Sequence, residues 1–199
     1  NRKNGQLTIS KRTVKLVSAS DSKPYDGTPL TNGTVTVSEG SFAPNEGASY
    51  NVTGSQTLVG SSDNEFTYTL NDGTLKENYT ISTEYGTLTV TDRAEKYEIT
   101  VEANSGSKVY DGAPLKVEGI KTLEFTVNGN TYTVSGLTAE KTGTNVSDSG
   151  EVVITGTAVV KDKAGNDVTA QFTVNRKNGQ LTISKRTVKL VSASDSKPY

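Results

Sequence analysis

Short stretches in which bulky and polar residues alternate recur along the whole chain. Such alternation places successive side chains on opposite faces of a strand, so it predicts strands with one buried face. The clearest stretches are residues 13–17, 34–37, 65–70, 87–90 and 97–101. No window carries the apolar stripe of an amphipathic helix, and residues 73–78 are predicted to form one helical turn at most. The pattern therefore predicts an all-β chain.

Turn-forming residues separate these stretches. Asn128 and Gly129 lie between the alternating residues 123–127 and 131–134. Asn-Gly supplies the positive φ angles of a tight primed turn, so this region is predicted to be a β-hairpin. By the same chemistry, residues 71–73 and 162–167 are predicted to be loops.

Composition narrows the possible chemistry. The 199 residues include no Cys, His, Met or Trp, and the formal net charge is −1. Disulfides, thiolate or imidazole metal sites, Cys nucleophiles and His-based triads are therefore excluded. A balanced charge argues against a nucleic-acid partner, and the longest apolar runs are far too short to span a membrane. We expect no enzyme activity, no cofactor and no resident metal.

A long repeat is the strongest signal in the sequence. Residues 1–25 recur without a change at residues 175–199, which gives a period of 175 − 1 = 174 residues. A 25-residue identity does not arise by chance, so we interpret the chain as one full period, with overlap, of a tandem array. The partners expected from this interpretation are neighbouring identical repeats.

A second, diverged repeat lies inside the period. The hexapeptide YDGTPL at residues 25–30 matches YDGAPL at residues 110–115, an offset of 85. The closing strand GTLTV at 86–90 matches GQLTI at 179–183, an offset of 93. We therefore divide the chain into module A (11–93) and module B (94–184). Residues 1–10 are predicted to be the terminal strand of a preceding B-type module, and residues 185–199 the first strand of the next A-type module.

The paired KPYDGTPL and KVYDGAPL openings, with their NYTI…GTLTV and QFTV…GQLTI closings, resemble the YDG-type tandem repeats of large bacterial surface proteins. The resemblance covers nearly the whole chain. It implies mostly-β modules in the stalk of a cell-wall-anchored adhesin, located outside a cell of the Gram-positive type. It implies no catalytic site. The expected function is a structural spacer that projects a binding head from the cell wall.

Each module is small enough to hold one β core. We predict two tandem antiparallel β modules, arranged end to end as an elongated rod. An Ig-like sandwich is favoured for each module, and a β-grasp-like sheet is the alternative.

The shared YDG motif is predicted to be a structural turn. An Asp at this position can accept hydrogen bonds from backbone amides further along the chain, and a Gly can adopt a positive φ. The Tyr ring is expected to cover the module end with its hydroxyl in water, and the Pro to end ladder pairing. The residues concerned are Tyr25, Asp26, Gly27 and Pro29 in module A, and Tyr110, Asp111, Gly112 and Pro114 in module B.

The junctions between modules contain neither Gly nor Pro, so we expect them to hold neighbouring modules at a fixed angle. The junction residues are Asp92, Arg93, Ala94 and Glu95 between A and B, and Ser184, Lys185 and Arg186 after B. We also expect the terminal segments 1–10 and 185–199 to be held by head-to-tail contacts with other copies.

Three alternatives stay open at this point. The repeat could itself bind a host glycan or protein, with avidity from multiplicity; an exposed cluster of Tyr50, Tyr85 or Tyr132 would favour this. Calcium could bind at Asp162, Asn166 and Asp167, or at Asp63, Asn64 and Glu65, although neither segment has EF-hand spacing. A Lys–Asn amide crosslink would need both side chains buried together, whereas strand alternation directs Lys15, Lys96 and Glu98 outward.

Overall fold

The computed structural model describes residues 4–199. The chain divides into two compact units, with the boundary between Glu95 and Lys96. The described residues form seventeen strands and three short 3-10 helices, and they contain no α-helix. The prediction of an all-β chain is therefore confirmed. In the same part of the chain, no helix has the length and apolar character needed to cross a membrane.

The described residues of unit 1 form eight strands. They are β1 (Arg12–Ser18), β2 (Asp21–Pro24), β3 (Val35–Gly40), β4 (Ala48–Val52), β5 (Gly60–Asp63), β6 (Phe66–Leu70), β7 (Tyr79–Glu84) and β8 (Thr87–Thr91). They pair into three small sheets with the strand orders β3-β1-β7, β2-β8-β5 and β4-β6. A single 3-10 turn, Lys76–Asn78, precedes β7 within the segment predicted to form one helical turn.

Unit 2 contains nine strands. They are β9 (Tyr97–Glu102), β10 (Gly106–Val109), β11 (Leu115–Glu118), β12 (Glu124–Val127), β13 (Asn130–Gly143), β14 (Gly150–Val152), β15 (Ile154–Asp162), β16 (Phe172–Lys177) and β17 (Gly179–Ser184). Two sheets have the orders β16-β9 and β10-β17-β14, and the long β13 pairs with β11, β12 and β15. The two other 3-10 turns are Val146–Asp148 and Thr169–Gln171.

The predicted hairpin is confirmed. Strands β12 and β13 pair antiparallel, with Val127 opposite Asn130 at the turn. Asn128 has φ 49° and Gly129 has φ 78°, as a two-residue primed turn requires.

The predicted antiparallel arrangement is wrong for the strands that begin and end each unit. In unit 1, β1 pairs parallel with β7, and β2 pairs parallel with β8. In unit 2, β9 pairs parallel with β16, and β10 with β17. Parallel pairing needs a long connection between the two strands. Between β1 and β7 the five strands β2–β6 form this connection. Alternation within a single strand does not show which distant strand it pairs with.

The two units repeat one pairing of their opening and closing strands. Arg12 pairs with Tyr79 at the start of the first parallel pair in unit 1, and Tyr97 pairs with Phe172 in unit 2. The differences, 97 − 12 = 85 and 172 − 79 = 93, equal the two offsets of the internal sequence repeat. The opening and closing strands are therefore paired alike in the two units, whereas the strands between them are arranged differently.

The apolar faces of the paired strands form the interior of each unit. In unit 1, Val14 and Leu16 of β1 pack with Phe66 and Tyr79 in one buried cluster. In unit 2, the most deeply buried side chains include Val101 of β9 and Leu181 of β17. The alternating residues of β1 and β9 thus face inward as the sequence pattern predicts.

The duplicated terminal sequences adopt two different structures. The letters GQLTIS form β17 at Gly179–Ser184, where Leu181 is 0% exposed, but residues 5–10 form no strand and Leu7 is 88% exposed. The letters RTVKLVS form β1 at Arg12–Ser18, where Leu16 is 0% exposed, but at residues 186–192 they form no strand and Leu190 is 91% exposed. Pairing partners, rather than local sequence, therefore decide whether these letters become strands. The expected contacts with other copies stay a prediction.

Candidate functional site

The YDG motif of unit 1 forms a compact turn closed by a carboxylate. Asp26 Oδ1 accepts hydrogen bonds from the Thr28 backbone N–H at 2.8 Å and from Thr28 Oγ1 at 2.7 Å. Lys23 Nζ, in the preceding strand β2, donates to the same oxygen at 2.8 Å. Gly27 has φ 79°, in the left-handed region that favours glycine. The carboxylate thus joins the strand end to the turn.

Unit 2 builds the same turn with corresponding residues. Lys108 Nζ donates to Asp111 Oδ1 at 2.6 Å, and the Ala113 N–H donates to that oxygen at 3.0 Å. Lys108 also donates to the Ala113 carbonyl. Gly112 has φ 81°, and a Cβ added there would meet no atom within 4 Å. The glycine is therefore required by the backbone conformation and not by lack of space.

Both turn carboxylates are stabilised in their charged form. For Asp26, partial burial alone would raise the pKa, but the hydrogen bonds from Lys23 and Thr28 outweigh it, so the pKa lies below its ordinary value. For Asp111, the hydrogen bond from Lys108 and then that from the Ala113 N–H lower the pKa. Each turn is therefore held by a charged acceptor at neutral pH.

The two motif tyrosines have different surroundings. Tyr25 is 1% exposed, so the expectation that its hydroxyl lies in water is wrong, whereas Tyr110 is 39% exposed. The Tyr25 N–H donates to the Thr91 carbonyl at 2.9 Å, and its own carbonyl accepts from Arg93 Nη1 at 3.1 Å. These bonds hold Tyr25 against the end of β8. The Tyr110 N–H makes the corresponding bond to the Ser184 carbonyl at 2.9 Å.

The motif prolines do not end ladder pairing. Directly after Pro29, Leu30 pairs with Gln56 through two backbone hydrogen bonds of 2.8 and 3.0 Å. Directly after Pro114, Leu115 opens β11. The expectation fails because a proline lacks only its own N–H, so the next residue is free to begin a strand.

The first junction is tied to the YDG turn by one arginine. Arg93 donates through Nε to the Glu95 carbonyl at 2.9 Å and through Nη1 to the Tyr25 carbonyl. Asp92, Ala94 and Glu95 lie at the surface. Residues 92–96 form the five-residue connection between β8 and β9.

The second junction is predicted to be shorter than the first. Ser184 closes β17, and its Oγ donates to the Lys108 carbonyl at 3.3 Å. Lys185 and Arg186 follow, exposed and outside any strand. Because Arg186 corresponds by the 174-residue period to Arg12, the first residue of β1, only Lys185 separates β17 from the next predicted strand.

The tyrosines named as binding candidates pack against phenylalanines. Tyr50 and Tyr85 flank Phe66, with ring centroids at 6.3 and 5.6 Å. Tyr132 belongs to the other unit, is 1% exposed and packs on Phe172 at 4.8 Å. The structure therefore does not gather the three into one exposed cluster.

The candidate calcium ligands serve as turn and core residues. Asp162 accepts from the Asn166 N–H at 2.8 Å, and Asp167 accepts from the Thr169 N–H at 2.9 Å. Asn64 is 0% exposed and donates through Nδ2 to the carbonyls of Ala19 and Asn32. Across residues 4–199, no group of three or more acidic side chains is placed to hold a metal ion.

The lysine considered for a crosslink contacts carboxylates. Lys15 Nζ lies 2.7 Å from Glu84 Oε2 and 3.8 Å from Glu39 Oε1. Lys96 and Glu98 lie at the surface, as alternation predicts.

Tyr79 makes a polar contact that the sequence pattern does not predict. The Tyr79 hydroxyl donates to Glu46 Oε2 at 2.5 Å and accepts from the Ala43 N–H at 2.9 Å, and this pair lines a surface hollow of about 350 Å³. Tyr79 corresponds to Phe172 in unit 2, which has no hydroxyl. The Tyr-to-Phe difference between the NYTI and QFTV motifs was the available signal.

Comparisons with protein-family models, with curated proteins and with solved structures find no match for this chain.

Proposed function

We propose that the chain is part of a stalk of repeated β units that carries a binding head away from a bacterial cell wall. The observation that carries this proposal is repetition at two levels: a 174-residue period in the sequence, and one parallel pairing of opening and closing strands built twice within it. An array of self-contained units gains length by adding units, and a spacer needs this length but no catalytic or binding site.

The path of the chain through each unit supports this role. The chain enters unit 1 at Arg12, at the start of the β1–β7 pair, and leaves at Thr91, at the end of the β2–β8 pair. Residues 12–24 run beside residues 79–91, and thirteen residues at a rise of about 3.3 Å cover at most about 40 Å. If the paired segments keep one direction, the chain would arrive at one end of the unit and depart from the other.

The sheet arrangement favours an Ig-like unit over a β-grasp-like one. The opening segment passes from one sheet, through β1, to another sheet, through β2. The closing segment makes the same passage from β7 to β8. Strands that change sheets together are typical of a two-layer sandwich, and we extend the proposal to such sandwiches joined end to end.

The surroundings of the tyrosines support spacing over ligand binding. Tyr50 and Tyr85 pack their rings against Phe66, and Tyr132 is buried. Exposed aromatic platforms of the kind that bind sugars or proteins need free ring faces.

Small-angle scattering on chains of one, two and three periods tests the stalk. The maximum dimension is expected to grow in proportion to the number of periods. A matched variant with a flexible Gly-Ser insertion between Ala94 and Glu95 should lose that proportionality. Growth as about the square root of residue number in the unmodified chain would contradict the proposal. Binding of a two-period chain to a glycan array would instead favour an adhesive repeat.

A further inference from the structure

We propose that each unit is a mechanical clamp, in which the first two strands are paired with the last two so that tension along the chain shears their hydrogen bonds together. The purpose of such a clamp rests on the proposed stalk, because a stalk is pulled from its two ends. Its geometry is a property of each unit alone.

The clamp of unit 1 consists of two parallel pairs in series. Six residue pairs join β1 to β7, from Arg12 opposite Tyr79 to Val17 opposite Glu84. Four more join β2 to β8, ending with Pro24 opposite Thr91. The opening segment of the unit is therefore paired along most of its length with the closing segment.

Unit 2 repeats the arrangement with the same number of pairs. Six residue pairs join β9 to β16, beginning at Tyr97 opposite Phe172. Four join β10 to β17, ending with Val109 opposite Ser184. The middle of this unit differs from that of unit 1 in strand number and order, whereas the terminal pairs are retained.

The direction of the strands decides how a pulling force is distributed. In each parallel pair, the chain arrives at the start of one strand and departs from the end of the other. Tension pulls the two strands past each other along their axes, so the evenly spaced bonds of a parallel ladder share the load. If the terminal strands were adjacent and antiparallel, with both chain ends at one edge, the bonds would open one after another.

Side chains protect the clamp from water. Val14 and Leu16 of β1 are 0% exposed, as are Leu88 of β8 and Leu181 of β17. Hydrogen bonds shielded in this way are stronger than exposed ones, because water cannot compete for the donors. In unit 1 the Lys15–Glu84 ion pair, 2.7 Å long, also spans the two strands.

The YDG motif lies at one end of the clamp. The Tyr25 N–H bonds to the Thr91 carbonyl, and the Tyr110 N–H bonds to the Ser184 carbonyl, both at 2.9 Å. Each bond extends the ladder one step beyond the last strand pair. The turn that follows, closed by Asp26 or Asp111, holds this tyrosine in place. The motif therefore terminates the clamp at the end where the chain departs.

Single-molecule force spectroscopy through engineered thiols tests the clamp, and the chain has no cysteine to interfere. Lys11→Cys with Ala94→Cys pulls β1 and β8 in the shearing direction. Lys11→Cys with Glu77→Cys pulls from the shared starting edge of β1 and β7 and peels them apart. All three positions are exposed. We expect the rupture force of unit 1 to be several-fold higher for the shearing pair at equal loading rate.

The corresponding pairs in unit 2 are Lys96→Cys with Lys185→Cys for shearing, and Lys96→Cys with Ala170→Cys for peeling. Thermal unfolding of each variant without load shows that the substitutions leave the fold intact. Equal rupture forces in the two directions, or a higher force in peeling, would overturn the clamp. If scattering refutes the stalk while the force ratio persists, the clamp stands without that purpose; equal forces refute the clamp whatever the scattering shows.

Discussion

The sequence RTVKLVS occurs twice, so one substitution can be compared at two sites of identical local sequence. Leu16 of β1 and Leu190 of the terminal segment occupy the same position in RTVKLVS, but Leu16 is 0% exposed and Leu190 is 91% exposed. Local propensity is the same at both positions. Any difference between Leu16→Ala and Leu190→Ala therefore measures burial alone.

The size of the difference follows from the core of unit 1. Leu16 packs in a cluster with Val14, Phe66 and Tyr79, so its truncation removes apolar contacts and leaves a cavity. Leu-to-Ala changes in such surroundings cost about 2–5 kcal/mol. At roughly 4–8 °C per kcal/mol for a domain of this size, unit 1 of the variant should melt at least about 8 °C lower. Exposed positions change stability by about 0.5 kcal/mol or less, so Leu190→Ala should be nearly neutral.

Urea unfolding followed by tyrosine fluorescence measures both variants, because the chain has no tryptophan, Tyr79 belongs to the cluster, and Tyr50 and Tyr68 pack against it. Amide exchange at β1 and β7 assigns the loss to unit 1. Similar destabilisation by both substitutions would refute the reasoning, since it would mean that the terminal copy is buried too. A small effect of Leu16→Ala would refute the role assigned to the cluster.

Three further substitutions test the turns and the interior. Gly112→Ala should destabilise unit 2 by about 1–2 kcal/mol, because φ 81° disfavours any Cβ, while Gly5→Ala in the exposed segment should be neutral; equal melting of both would contradict this. Asn64→Asp should lower the free energy of unfolding, measured by urea denaturation, by at least about 3 kcal/mol, because a buried carboxylate would face the Ala19 and Asn32 carbonyls to which the amide now donates. An unchanged free energy of unfolding would contradict these two hydrogen bonds. The pKa of Asp111 in the folded unit lies below its ordinary 3.8, so the charged carboxylate stabilises the unit above pH 3.8 and this stabilisation is lost as the pH falls through the folded pKa. Asp111→Asn should therefore make the stability of unit 2 less dependent on pH in acid. An acid unfolding transition that is the same in both proteins would contradict this.

The sequence predicted those strands that carry their own signature. The alternation of bulky and polar residues predicted β1, β6, β8 and β9, because each of these strands has one face toward the interior and the other toward solvent. Asn-Gly located the hairpin because its requirement for positive φ is local. Repetition of YDG located the two turns for the same reason. Each of these features is decided within a few residues.

Other elements depend on distant partners and left no local signal. Strand β2 reads DSKP and β5 reads GSSD, with no bulky residue to alternate; both are strands because they pair with β8. The parallel ladders were missed because their strands lie far apart in sequence. The two YDG tyrosines share a motif but differ in exposure, so the burial of Tyr25 depends on the residues packed around it and not on the local sequence.

The parallel ladders also account for the two structures of the duplicated segments. Strand β1 needs β7, and β17 needs β10, so a terminal copy without its distant partner has no ladder to join. The stability of each unit therefore depends on the pairing of its first two strands with its last two. Bringing such distant strands together is entropically costly and makes folding slow, but it makes each unit close on itself. The proposed stalk would therefore gain length in whole steps of one unit, because a fraction of a unit adds only unpaired chain.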